Sequence, residues 1–82
     1  MKIMAERTEP LSLAGAYLRT LRESAGLSLR EPGPMIGMSY AYLQQLESGS
    51  RQLTLPKLKR LVQILGGDLE EAVRLHRIDI GV

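Results

Sequence analysis

Apolar residues recur at helical spacing in four stretches of the chain. After Pro10, residues Leu11, Ala14, Leu18, Leu21 and Ala25 fall on one face, and Gly26 supplies a left-handed stop, so a helix is expected over about 12–25. Ser39 is a good N-cap for a short helix over 40–48, with Leu43 and Leu46 on one side and Gly49 closing it. Thr54 then precedes Leu55-Pro56, and Leu58, Leu61, Val62 and Leu65 form an apolar stripe that Gly66-Gly67 ends. Asp68 with Glu71 three residues later resembles a capping box, opening a last helix through Leu69, Ala72, Val73 and Leu75. Residues 78–82, Ile-Asp-Ile-Gly-Val, alternate as a short strand would, or fray.

Residues 27–37, LSLREPGPMIG, carry conflicting signals. Ser28 with Glu31 reads as a capping box, yet a helix starting at Leu29 would place Pro32 and Pro34 where their missing N–H groups matter, at roughly 3 kcal/mol for each interior proline. A start at Pro32 puts both prolines in the first turn, whose N–H groups have no intrahelical partner in any case. Glu31, which precedes a proline, is biased toward extended backbone. A truncated helix over about 32–36 follows, which brings the expected total to five and the fold class to all-α.

Composition narrows the class further. With 82 residues the chain suffices for one domain and one small core, divided here into an arm (1–10), a helical core (11–77) and a tail (78–82). The apolar residues are Leu, Ile, Val, Met and Ala with three Tyr and no Phe or Trp, which suits packed helices. No Cys is present, so neither disulfides nor a thiolate metal site can hold the chain. No apolar run approaches the roughly 20 residues of a membrane span, and the opening MKIMAERTEP lacks the apolar stretch of a secretory signal, so a cytoplasmic protein without membrane contact is expected. The net charge of +2 is modest but unevenly spread: residues 51–67 carry Arg51, Lys57, Lys59 and Arg60 with no acid. Positive charge is therefore concentrated just after the short helix at 40–48.

Two short helices meeting across Gly37-Met38-Ser39 have the makings of a helix-turn-helix. The first needs a small residue at the crossing, and the turn needs a glycine about four residues later, which Gly33 and Gly37 supply. Leu43 and Leu46 would anchor the second helix while Tyr40, Ala41, Gln44 and Gln45 face outward. Glutamine can bond adenine with both amide atoms, and apolar or aromatic groups can touch a thymine methyl, so these residue types suit a reader of the major groove.

From Leu18 to Leu65 the chain resembles the repressor/Cro family, also called the xenobiotic response element family. The resemblance rests on LRTLRESAGLS (18–28), IGMSYAYLQQLESGSR (36–51) and LTLPKLKRLVQILG (53–66), in the family's order and spacing. It implies a compact five-helix domain with Tyr40, Ala41, Gln44 and Gln45 at base edges and Arg51 near phosphates in the following loop; Ser28, Ser39 and Tyr42 are the further candidates for phosphate contact. It also implies that Arg22 and Glu47 form a structural ion pair. That pair has a separate rationale, because a carboxylate just before a helix C-terminus opposes the local dipole and gains from a cation reaching it from another element. The chain departs from the family in the first motif helix, with Leu29 where Gln is usual and Pro32-Gly33-Pro34 in place of an unbroken helix.

Other charged residues have plainer uses. Lys57, Lys59 and Arg60 also fit the wet face of a helix, and His76 stands alone without a second His or a Cys, so no metal or cofactor is expected. One histidine in so small a chain does not support a hydrolase triad, and no enzyme is expected. The expectation is a sequence-specific regulator, a repressor, binding double-stranded DNA as a homodimer on a palindromic operator. Val73, Leu75, Ile78 and Ile80 exceed what one small core needs and are the dimerisation candidates. Two alternatives stand beside it: a protein-interaction module or antitoxin with a degenerate motif and a protein partner, and an ordinary repressor damaged by its Pro-Gly-Pro insertion.

Overall fold

A computed structural model describes residues 12–30 and 37–81, in which four α-helices are present: α1 (Leu13–Ser24), α2 (Tyr40–Ser48), α3 (Leu55–Leu65) and α4 (Leu69–Ile80). The described residues contain no strand, and the fold is all-α. The short helix expected over 32–36, which would be the fifth, lies outside them, as do the arm and Gly33.

Each helix starts where its capping chemistry directs. Ser12 accepts from the Gly15 N–H, Ser39 from that of Tyr42, and Asp68 from those of Glu70 and Glu71. Thr54 makes no side-chain cap bond, and α3 instead carries Pro56 in its first turn, where no N–H is needed. The leucine spacing then decides which side turns inward. Leu18, Leu43, Leu46, Leu58, Leu61 and Val62 are fully buried and meet Ala14, Leu53 and Ala72 in one core. Removing each such leucine from water contributes about 1.5–3 kcal/mol, so this small cluster supplies the main stabilising term. Helix α1 is the hub: it packs against α2, α3 and α4, and α3 packs against α4.

The last turn departs from the expected strand-like or frayed tail. Residues 78–80 continue α4, and Gly81, at φ 78°, closes it in the left-handed conformation that other residues adopt at a cost. A tertiary contact holds this turn in place. The Asp79 carboxylate accepts from the Leu13 N–H (2.7 Å), the Ala14 N–H (3.0 Å) and the Ser12 hydroxyl (3.0 Å), so it satisfies the free N–H groups that open α1. The alternation of Ile78 and Ile80 around Asp79 thus serves a helix end docked on another helix's start. The other end of α4 is tied to α1 as well, since the Asp68 N–H donates to the Tyr17 hydroxyl at 2.9 Å.

Candidate nucleic-acid interface

Helix α2 is held by its inner side. Leu43, Leu46 and Glu47 are buried there, and α1 approaches so closely that a Cβ on Gly15 would lie 2.5 Å from the Leu46 carbonyl oxygen and 2.6 Å from that of Glu47. Only a residue without a side chain fits this crossing. Beside it, the Arg22 guanidinium clasps Glu47 with two bonds, Nε to Oε2 at 2.8 Å and Nη2 to Oε1 at 3.1 Å, and both side chains are over 90% buried. The third arm of the fork, Nη1, donates to the Leu27 carbonyl at 2.9 Å and fixes the connection that leaves α1. Hydrogen bonding to Glu47 raises the Arg22 pKa above its ordinary value despite the opposing effect of burial. No described buried side-chain nitrogen or oxygen lacks a hydrogen-bond partner, as a dry ion pair requires.

The opposite side of α2 faces solvent. At 100° per residue, Ala41, Gln45 and Ser48 occupy the crest away from the leucines, with Gln44 and Tyr40 on one flank and Tyr42 on the other. Tyr40, Ala41, Gln44 and Ser48 are exposed, and Gln45 and Tyr42 are half-buried. The glutamines are therefore not covered by the protein's own core. Gln44 borders a hollow between α1 and α2 that Arg19 and Leu29 also line. Arg30 places its guanidinium 4.9 Å from the centre of the Tyr40 ring.

Cations gather on the Tyr42 flank. Arg51 and Lys57 each stand 5.0 Å from the centre of the Tyr42 ring, and the Lys57 ammonium also donates to the Tyr42 hydroxyl. Arg51 reaches back to Gln45 twice, with its backbone N–H on the Gln45 carbonyl (3.2 Å) and its Nε on the Gln45 side-chain oxygen (2.8 Å). The loop bearing Arg51 is pinned from below by Leu53, only 5% exposed. The remaining phosphate candidates are more scattered: Ser39 caps α2 through its hydroxyl oxygen, which leaves the hydroxyl proton to donate, and Ser28 lies exposed in the connection after α1.

Outward side chains of one short helix, flanked by fixed cations and carried on a helix locked from behind, make a surface that can enter a groove between phosphates. Comparison with known families points the same way, since residues 13–75 match the model of a helix-turn-helix domain. The chain belongs to that family. No curated protein and no solved structure gives a significant match. The matched residues include α2, and Gly37, at φ 74°, lies in the turn before it.

Four contributors to this surface escape sequence reasoning. Gly15 leaves the clearest trace, because a glycine within a helix and far from its C-terminal stop has poorer helix propensity than alanine and so signals a close approach. Lys57 fits a solvated face equally well, and its distance from Tyr42 in the chain conceals their contact. Ser48 occupies the crest but resembles any polar residue near a helix end. Leu53 is a single apolar residue in a loop, with no periodicity to reveal its burial.

Proposed function

We propose that this helix-turn-helix domain is a transcriptional repressor of the repressor/Cro type that binds a palindromic operator as a two-fold dimer. Helix α2 would lie in the major groove, with Tyr40, Ala41, Gln44 and Gln45 at base edges and Arg51, joined by Lys57, on the flanking phosphates; Ser28, Ser39 and Tyr42 complete the backbone contacts. The observation that carries the reading is the two-sidedness of α2, which is fixed by buried leucines and an ion pair on one side and bordered by cations on the other.

The dimer has its own support on α4. Leu69, Val73 and Ile78 line an open groove of about 600 Å³ with Glu70, Arg74, Arg77 and Lys59, and Ile78 is 51% exposed. The order of these residues is self-complementary: an antiparallel pairing of α4 with a second copy, centred between Val73 and Arg74, sets Leu69 against Ile78 and Glu70 against Arg77. Two-fold pairing of this kind would space half-sites about one helical turn, roughly 34 Å, apart.

Titration of duplex binding against salt tests the proposal. Counterion release predicts a steep linear fall of log K with log salt, and Arg51→Met makes that slope shallower by about one, for the phosphate that it no longer neutralises. Absence of binding to any duplex at low salt refutes DNA recognition and leaves the protein-interaction reading.

A further inference from the structure

We propose that Arg51 is a positioning residue that fixes the carboxamide of Gln45 and thereby makes Gln45 a reader of guanine rather than adenine. The inference rests on the DNA-binding reading above and goes beyond it by assigning a base preference to one side chain.

The polarity of the Gln45 amide follows from the chemistry of its neighbour. An arginine guanidinium has only donors, so the Gln45 atom 2.8 Å from Arg51 Nε must be the amide oxygen, and the NH2 group must point the other way. Arg51 is itself restrained. Its backbone N–H is bonded to the Gln45 carbonyl, and its guanidinium rests on the Tyr42 ring, whose hydroxyl is in turn held by Lys57. Tyr42 lies on one flank of Gln45 around the helix, and Ala41 lies on the other, toward the solvent crest. An oxygen drawn to the Tyr42 flank therefore leaves the NH2 group facing the crest, which is the side that meets bases.

This orientation changes what Gln45 can recognise. Reading adenine takes both amide atoms, the oxygen to accept from N6 and the nitrogen to donate to N7. With its oxygen held to the flank by a charged donor, Gln45 offers the groove donors alone. Guanine presents two acceptors there, N7 and O6, whereas cytosine presents only a donor. An unconstrained glutamine at this position would favour adenine, so the preference is a property of the Arg51–Gln45 pair.

Selection of bound sequences from a random duplex library tests this with the wild-type chain, Gln45→Ala and Arg51→Met. The position that becomes degenerate in Gln45→Ala identifies the base pair that Gln45 faces. Wild type is expected to select guanine there. Arg51→Met, which keeps the aliphatic stem but removes the donor, is expected to lower the guanine-to-adenine ratio at that position about tenfold, within the range that one bidentate contact discriminates. The other positions keep their preferences, although one fewer neutralised phosphate weakens binding to all sequences alike. Adenine at the Gln45 position in wild type, or the same ratio with Arg51→Met, overturns the inference and leaves DNA recognition standing. If no duplex is recovered by any of the three chains at low salt, DNA recognition fails and the base preference fails with it.

Discussion

The two sides of α2 are built on different principles. The inner side, toward α1, is dry, and its geometry is imposed by the missing side chain of Gly15, the buried leucines and a bidentate ion pair. The outer side consists of exposed or half-buried side chains that order one another: Lys57 and Arg51 about Tyr42, and Arg51 on Gln45. A substitution on the inner side should therefore lower stability and affect DNA binding only through it. One on the outer side should change binding while leaving the fold intact.

Glu47→Ala breaks the comparison hardest. It leaves the Arg22 charge buried without its partner, for which a loss of about 3–5 kcal/mol in chemical denaturation is expected. Replacing both members by apolar residues of similar size should recover most of that loss, because no buried charge then remains. Gly15→Ala comes next. The added methyl group drives α1 away from the α2 carbonyls, with an expected cost of about 1–3 kcal/mol despite the better helix propensity of alanine, read from the same denaturation curves. Asp79→Ala probes a contact far from α2 by uncapping α1. A loss of about 1 kcal/mol is expected, which for a domain of this size lowers the melting temperature by about 4–8 °C.

The smallest effect belongs to a solvent-exposed pair on α4. Hydrogen bonding to Arg74 holds the Glu71 carboxyl below its ordinary value of 4.5. A depressed carboxylate contributes stability that is present above the unfolded value and is lost as pH falls through the folded one. Glu71→Gln should lower stability slightly at neutral pH and leave it unchanged once pH has fallen below the folded value, which flattens the acid limb of a stability-against-pH curve.

This contrast also explains what is legible in the sequence. The four described helices follow from apolar spacing and, at Ser39 and Asp68, from capping residues, because both signals are local; Ser12, expected inside the first helix, caps it instead. Arg22 and Glu47 can be paired because a family resemblance supplies the register, with a lone carboxylate at a helix end as independent motive. The cap that Asp79 provides is not legible, since it joins residues 66 and 65 positions apart, and no local rule connects them. Without that contact, Ile78-Asp79-Ile80 reads as strand or fray. The outer network is hidden for a related reason. A turn brings Arg51 back onto the helix that it follows, so spacing along a single helix does not reveal its contact with Gln45.

The central claim is that the outer side of α2 meets DNA. Chemical-shift mapping during titration with a duplex recovered from random selection tests it most directly. The account predicts the largest amide shifts at residues 40–45, 51 and 57, with the buried positions of α1 little affected. Shifts centred on the α4 groove with residues 40–45 unmoved would contradict it.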